Sequence, residues 1–131
     1  MGGKDPKLEK KLIAAASDWK RAVVFTEEKV LASNWEVQIS DLKPFCTAFR
    51  DRDATIAAGF DLQADHFDVN RWHDDYSPML ANGRRGDALS GEGIALAKMG
   101  TTFVLVTFTY PVVSALAMSQ LRDFCRAEFS S

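Results

Sequence analysis

The sequence has few cysteines, no long hydrophobic run and almost no net charge. Its two cysteines, Cys46 and Cys125, form no C-x-x-C motif, and no stretch near the start has the composition of a signal peptide, so we expect the reducing cytoplasm. The longest apolar run, residues 103–106, is far below the roughly 20 residues of a membrane-spanning helix. With 16 Lys and Arg against 18 Asp and Glu, the formal charge is -2, which argues against a nucleic-acid-binding protein.

Catalytic motifs are also missing. The segment Gly91-Glu92-Gly93 lacks the third glycine of a dinucleotide fingerprint, and no Gly-Lys-Ser/Thr follows it. Ser90 does not lie in a G-x-S-x-G nucleophile elbow. No positioned acid-base pair is marked either. We therefore expect a protein that is not an enzyme and that needs no cofactor.

A histidine and aspartate cluster raises the question of a metal site. Imidazole and carboxylate groups together suit divalent ions, and His66, Asp68, His73, Asp74 and Asp75 supply both. If residues 66–73 form one strand, however, the odd separation places the two imidazoles on opposite faces. The pattern favours a polar solvent face that ends in an acidic turn, and we expect no metal site.

The 131 residues predict one domain, with residues 1–5 flexible. Asp5-Pro6 is typical of a helix start, and Ser40 with Asp41 predicts a second helix that breaks near Asp51 and stops at Gly59. Pro111 opens a last helix. Strand-like alternation or apolar runs predict strands over 20–25, 30–37, 66–73, 78–84, 93–99 and 102–109.

Turn signals and the last strand indicate how these elements assemble. Asp74-Asp75, Asn82-Gly83 and Met99-Gly100 predict tight turns. The run 103–108 is apolar on both alternations, which is typical of a strand covered on both faces. The predicted fold class is α+β, with a single antiparallel meander sheet, the N- and C-terminal helices on one face and a further helix on the other.

Buried and exposed side chains can be predicted from the same pattern. Cys46 and Cys125 lie beside phenylalanines on predicted helices, so we expect both thiols in the core. Trp72 falls on the side of its strand shared with Asp68 and Asn70, which predicts partial exposure.

Three cations form the most informative local feature. Arg84 and Arg85 follow one predicted strand and Lys98 ends the next, so an antiparallel hairpin joined by residues 87–92 is expected to bring them together at one edge of the sheet. Such a basic patch fits an acidic protein surface or a phosphoinositide headgroup. An ordinary solvated turn explains the same residues equally well.

The C-terminal half of the sequence resembles the profilin family. Asn82 to Gly86 is similar to its basic, glycine-flanked turn, and Gly91 to Gly100 is similar to its glycine-bounded strand with a lysine near the end. Residues 102–111 and the helix ending in Leu121-Arg122-Asp123-Phe124 resemble its closing strand and helix. Length and element order agree across nearly the whole chain, including residues 21–25 as the first strand.

The resemblance implies a monomeric cytoplasmic protein that acts on the cytoskeleton by binding monomeric actin. Carried across, the residues facing actin would be Arg84, Arg85, Lys98, Val112, Ala115 and Ser119. The same cations would bind anionic phosphoinositide lipids in competition with actin.

One part of the family pattern is incomplete here. Profilins bind polyproline in a groove of aromatics from the first helix, the second strand and the last helix, but the first helix here has no aromatic before Trp19. The residues at or near the groove positions are Leu31, Trp35, Phe124 and Phe129. The resemblance therefore implies weak or absent polyproline binding. This divergence is similar to that of profilins from archaea related to eukaryotes.

Two other functions fit a domain of this size. A PAS-like or longin-like sensing or trafficking module has a comparable helix-covered sheet, and a PAS-like sensor needs an internal pocket. A membrane-surface regulator acting through Arg84, Arg85 and Lys98 without actin would bind anionic vesicles in a salt-dependent way.

Overall fold

One antiparallel sheet of seven strands forms the centre of the fold. The structure, a computed structural model, describes residues 5–73, 77–86 and 91–129. Within these residues the strands are β1 (Arg21–Phe25), β2 (Val30–Ser33), β3 (Phe60–Leu62), β4 (Asp65–His73), β5 (Met79–Arg85), β6 (Glu92–Met99) and β7 (Thr102–Phe108). Their order across the sheet is β2-β1-β7-β6-β5-β4-β3, and every neighbouring pair is antiparallel.

Four α-helices in the described residues accompany the sheet: α1 (Pro6–Ala15), α2 (Ile39–Cys46), α3 (Arg52–Ala58) and α4 (Ser114–Phe129). Asp5 starts α1, because its Oδ1 accepts hydrogen bonds from the amides of Lys7 and Leu8 at 3.0 and 3.2 Å. Asp51 starts α3 by accepting from the amide of Ala54 at 3.0 Å, which confirms the predicted break. None of the helices in the described ranges is long and apolar enough to span a membrane.

The starts of α1 and α2 correct two expectations. Residues 1–4 of the segment predicted to be flexible lie outside the described residues, but Asp5 is anchored, since its amide donates to the Leu31 carbonyl at 2.7 Å. The cap of α2 is Gln38, two residues before the predicted one. Asp41 still contributes, because its Oδ2 accepts from the Gln38 amide at 2.9 Å.

Apolar side chains fill both faces of the sheet. Helices α1 and α4 cover one face, here called the α4 face, and α2 covers the other, called the α2 face. The α4-face core includes Leu12, Trp19, Val24, Val104, Val106, Leu121 and Phe124. The α2-face core includes Phe25, Leu42, Phe45, Phe67, Leu96, Phe103 and Leu105. The predicted fold class is confirmed, including a last strand buried on both sides.

A β-bulge in β4 changes which side chains share a face. The pairing of β4 with β5 shifts between Val69 and Arg71, so simple alternation fails for the residues that follow. Trp72 therefore lies on the α2 face, where its ring centroid is 5.1 Å from that of Phe49. The prediction that Trp72 shares a side with Asp68 is wrong for this reason.

The same bulge places both imidazoles on one face. His66 and His73 lie on the α4 face, so the predicted opposite placement is wrong. His66 Nδ1 instead contacts Asp61 Oδ1 at 2.6 Å. Among residues 5–73, 77–86 and 91–129, no group of three His, Cys, Asp or Glu side chains is arranged to hold a metal ion. Asp74 and Asp75 lie outside the described residues.

The dipeptide Asn82-Gly83 lies inside β5 and does not form the predicted turn. A Cβ on Gly83 would come within 1.7 Å of the Asp68 carbonyl oxygen. Glycine is required here because β4 approaches β5 closely beside the bulge. A residue pair that is typical of turns thus permits close strand contact.

One short strand and the start of the last helix also differ from the prediction. The short strand β3 was not predicted, because three residues with a central aspartate show too little alternation. It pairs with β4 through a tight turn in which Gln63 has φ 55. Helix α4 begins at Ser114, three residues after Pro111.

Both cysteines are free and buried, as predicted. Burial raises the pKa of the Cys125 thiol to about 12 and also raises that of Cys46. Neither thiol is therefore ionised at neutral pH, and both act as apolar core groups.

Candidate binding face

The three cations predicted to form one patch lie at two ends and on two faces of the sheet. Arg85 pairs with Glu92, whereas Lys98 pairs with Met79 at the other end of the β5–β6 hairpin. Because successive strand residues point to opposite faces, Arg84 lies on the α4 face and Arg85 on the α2 face. The predicted cluster is wrong, since an antiparallel hairpin places the end of its second strand beside the start of its first. Residues 87–90 of the connection lie outside the described residues.

Lys98 covers one end of the α2-face core. Its Nζ lies 5.6 Å from the centroid of the Phe103 ring, which stacks on Phe25 with centroids 5.2 Å apart. This is the geometry of a cation–π contact. Lys98 thus points away from the face that holds Arg84.

Arg85 belongs to a network of ion pairs with Arg21, Asp65 and Glu92, here called the ion network. The Glu92 residue is 1% exposed, and its Oε1 lies 2.8 Å from Arg21 Nη2 and 3.0 Å from Arg85 Nη2. Asp65 Oδ2 lies 3.0 Å from Arg21 Nη2. These side chains come from β1, β4, β5 and β6. The network therefore joins four strands on the α2 face and pairs the Arg85 guanidinium with a buried carboxylate.

Burial and charge act in opposite directions on the Glu92 carboxyl. Burial raises its pKa, whereas the neighbouring Thr107 hydroxyl, the Arg21 guanidinium and the charge of Lys20 lower it. The net pKa lies below the ordinary glutamate value. The carboxylate is therefore ionised at neutral pH and paired with its two arginines.

A cleft of about 400 Å³ opens on the α4 face between β4, β5 and the start of α4. We call it the α4 cleft, and it is lined by Arg71, His73, Asn82, Ser114, Ala115, Met118 and Arg122. Among the described residues that line it there is no carboxylate. Arg84, half-buried and two residues after Asn82 in β5, lies on the same face. This cleft is a local basic site on a protein with a slight net negative charge.

The segment before and at the start of α4 carries exposed apolar side chains. Three large apolar side chains here are 61%, 59% and 47% exposed: Tyr110, Val113 and Leu116. Of the predicted contact residues, Ala115 lines the cleft and Ser119 is exposed one helical turn further on. Val112 is half-buried and packs against the α4-face core. The structure thus brings Arg84, Ala115 and Ser119 to one face, with Val112 beneath it.

Three of the four residues predicted for a polyproline groove come together, and Trp35 does not. Phe124 lies in the α4-face core, and Leu31 and Phe129 pack against it. Trp35 packs against the opposite core, and its Nε1 donates to Gln63 Oε1 at 3.2 Å. Trp35 is therefore separated from the other three by the thickness of the sheet.

The sequence does not show that Arg71, His73 and Arg122 line one cleft. Strict alternation around Asp68 and Asn70 does not assign Arg71 and His73 to the α4 face, because it takes no account of the bulge. Arg122 is visible in the sequence on the polar side of the last helix. Only the packing of α4 on the sheet shows that it lies across from β4.

The fold and this face together define a class of protein. An antiparallel sheet is covered by helices on both sides, and its cationic cleft and apolar surface lie on the exterior. This is a small α+β domain with a cation-lined cleft on its exterior.

Several solved structures have a similar architecture. No protein-family model and no curated protein matches the sequence. Acanthamoeba castellanii profilin II matches with a TM-score of 0.73 and 13% identity over 92% of this chain and 93% of its own. Human profilin II matches with a TM-score of 0.70 and 14% identity over 92% of this chain and 96% of its own. A third match is mouse profilin IIa, solved in complex with a double repeat from the FH1 domain of mDia1. It has a TM-score of 0.69 and 15% identity over 93% of this chain and 94% of its own. The chain therefore has the profilin fold.

Proposed function

We propose that this protein binds monomeric actin through the α4 cleft and the adjoining apolar start of α4, and so regulates actin polymerisation. The profilin fold supports the proposal, because it is the fold of a family of actin-monomer binders. The observation that carries it is the cation-lined cleft at the start of α4, a segment in which Val113 and Leu116 are 59% and 47% exposed. Large apolar side chains exposed together mark protein-binding surfaces.

The two parts of this face have different roles in binding. Arg71, Arg84 and Arg122 supply positive charge that steers an acidic partner and fixes its orientation. Val113 and Leu116 supply the apolar centre from which water is excluded and in which most of the affinity resides. This composition favours a non-catalytic protein-binding domain.

The test is binding to purified actin monomers. We expect the protein to co-elute with actin one-to-one in gel filtration and to slow spontaneous polymerisation. Leu116→Asp should weaken both effects at least tenfold, because it places a charge in the apolar centre. Ile13→Asp is the matched control, since Ile13 is 57% exposed on α1, away from the face. No co-elution and unchanged polymerisation at tens of micromolar protein would contradict the proposal.

Lipid binding is proposed for the same face. The cations Arg71, Arg84 and Arg122 suit an anionic phosphoinositide surface, and such binding would compete with actin. Vesicles containing phosphoinositide should bind the protein in a salt-dependent way and release bound actin. Simultaneous binding of vesicles and actin would contradict a shared face.

Polyproline binding is proposed to be weak or absent. Trp35 lies on the wrong face, and α1 presents no aromatic to a groove with Phe124 and Phe129. A proline decamer should leave the tryptophan fluorescence unchanged at millimolar concentration. A saturable change below that concentration would show that another arrangement binds it.

As part of the same proposal, we expect the protein to be a cytoplasmic monomer that associates with the cytoskeleton. A PAS-like or longin-like module gains no support here, because close-packed side chains fill both faces of the sheet. Binding to vesicles without binding to actin would support the membrane-surface regulator.

A further inference from the structure

A cavity of about 420 Å³ opens beside β3, the strand at one edge of the sheet. We call it the α3 cavity, because its lining comes from the continuous segment 44–61, which includes α3, the end of α2 and the start of β3. Phe45, Ala48 and Phe60 of this lining belong to the α2-face core, so the sheet separates the cavity from the α4 cleft. Cavities of roughly 300–1,000 Å³ are typical of ligand sites.

Apolar side chains form the floor and the rim of the α3 cavity. Phe45 and Phe60 are buried, with ring centroids 5.1 Å apart. Pro44, Ala54 and Ala58 line the same cavity and are exposed. The aliphatic stem of a long side chain packs favourably on such a surface while its charged end stays at the opening.

Two carboxylates of the lining, those of Asp51 and Asp61, each have one oxygen already engaged. Asp51 Oδ1 accepts from the Ala54 amide at 3.0 Å, and Asp61 Oδ1 lies 2.6 Å from His66 Nδ1. The second oxygen of each carboxylate can accept further hydrogen bonds. A bidentate arginine uses both oxygens of one carboxylate, whereas a lysine ammonium has three rotatable donors that reach separate acceptors. The pair therefore suits an ammonium group better than a guanidinium group.

Arg50 is the one cation among the described residues that line the cavity, and it is directed to a carboxylate outside it. Its Nη2 lies 3.7 Å from Oε1 of Glu27, in the connection between β1 and β2. Lys43, in the last turn of α2, donates to the Glu27 carbonyl oxygen. The last carbonyls of α2 add a partial negative charge beside Pro44 and Phe45. The charge of the cavity therefore favours a cationic ligand.

We propose that the α3 cavity binds a lysine side chain of a partner protein. The lysine stem packs on the apolar floor, and the ammonium donates to Asp51 and Asp61. A protein segment fits better than a free amine, because its backbone also covers the exposed apolar rim, which a free amine leaves in water. The site goes beyond the proposed function, because it lies across the sheet from the α4 cleft and leaves that cleft uncovered.

The probe is a blocked pentapeptide of alanines with one central lysine, titrated into the whole protein and followed by NMR. We expect saturable shifts of the amide resonances of Ala48, Thr55 and Gly59, which line the cavity. A peptide with norleucine in place of lysine keeps the stem and lacks the ammonium, so it should bind about fivefold more weakly. Added salt should weaken binding of the lysine peptide but not of the norleucine peptide.

Charge variants identify the groups that hold the ammonium. Asp51→Asn retains a side-chain oxygen that caps α3, and together with Asp61→Asn it should weaken the lysine peptide about fivefold without lowering the melting temperature. Asp53→Asn is the matched control, since Asp53 is an exposed carboxylate of α3 that pairs with Arg52 and is not part of the lining. It should change the affinity less than twofold.

A shape variant tests the cavity without changing its charge. Ala54→Leu fills the cavity and should weaken the lysine peptide, whereas Ala57→Leu, on the same helix but outside the lining, should not.

Four outcomes would overturn the proposal. They are no saturable shift in wild type at tens of millimolar lysine peptide, equal affinity for the lysine and norleucine peptides, equal losses in the cavity and control variants, and tighter binding of an arginine peptide. Binding of n-butylammonium as tight as that of the lysine peptide would assign the cavity to a free amine and also overturn it. These measurements contain no actin, so their result is independent of actin binding.

Discussion

The ion network on the α2 face and the α4 cleft both concentrate arginines, but the network pairs its arginines with a buried carboxylate. In the network, Arg21 and Arg85 surround Glu92, whose side chain is 1% exposed. The cleft is lined by Arg71 and Arg122, and its described lining residues include no carboxylate. The ion network therefore supplies its arginines with a buried counter-charge, whereas Arg71 and Arg122 line an open cleft.

Adjacent residues can fall on opposite sides of this division. Arg84 and Arg85 are neighbours in the sequence, but strand alternation sends one to the α4 face and the other into the ion network. Replacing both with glutamate would therefore disturb the fold and the binding face together. The two regions have to be tested with separate variants.

The largest effect is expected from breaking the ion network. Glu92→Ala leaves Arg21 and Arg85 without their buried carboxylate, which should lower the free energy of unfolding by about 3–5 kcal/mol. Glu27→Ala is the control, because Glu27 pairs with Arg50 at 3.7 Å between exposed side chains and should cost about 0–1 kcal/mol. Urea denaturation measures both, and equal losses would mean that the network is no more important than a surface pair.

A smaller loss is expected from disturbing the β4–β5 contact that orients the cleft. Gly83→Ala places a Cβ within 1.7 Å of the Asp68 carbonyl oxygen, so the strands must separate at a cost of about 1–3 kcal/mol. Gly100→Ala, where a Cβ meets nothing within 4 Å, tests the positive φ alone and should cost about 1 kcal/mol. Thermal unfolding compares the two. A smaller loss at Gly83 than at Gly100 would contradict the close approach.

A still smaller effect should appear as a pH dependence of the ion network. The pKa of Glu92 is lower in the folded protein than its ordinary value, so its ionised form stabilises the fold. This contribution is complete above about pH 4.3, the ordinary glutamate pKa, and is lost as pH falls through the folded-state pKa. The melting temperatures of wild type and Glu92→Gln should therefore converge on acidification. A difference that stays constant down to pH 3 would show that Glu92 is not the titrating group.

The smallest effect is expected at Lys98. It lies on the α2 face over Phe103, away from the cleft, so Lys98→Glu should change actin affinity less than twofold. Loss of the cation–π contact should cost about 0.5–1 kcal/mol of stability. Sedimentation with actin measures the affinity, and urea denaturation measures the stability. A tenfold weaker affinity would return Lys98 to the binding face.

Local pattern predicted most of the architecture. The helix cap at Asp5, the helix break near Asp51 and the two-sided apolar run of β7 are predicted correctly, because each depends on residues a few positions apart. The grouping of Arg84, Arg85 and Lys98 and the position of Trp72 were wrong, because they depend on strand register and on the bulge in β4.

The sequence by itself determined an α+β domain with a doubly covered sheet and buried cysteines, since burial follows apolar spacing within single elements. Only the tertiary structure decided which arginines line the cleft. A one-residue shift at the bulge moves a side chain to the other face, and a buried glutamate on β6 takes up Arg85. The cleft itself forms between β4, β5 and α4, which are separated by up to about half the chain, so no local pattern contains it.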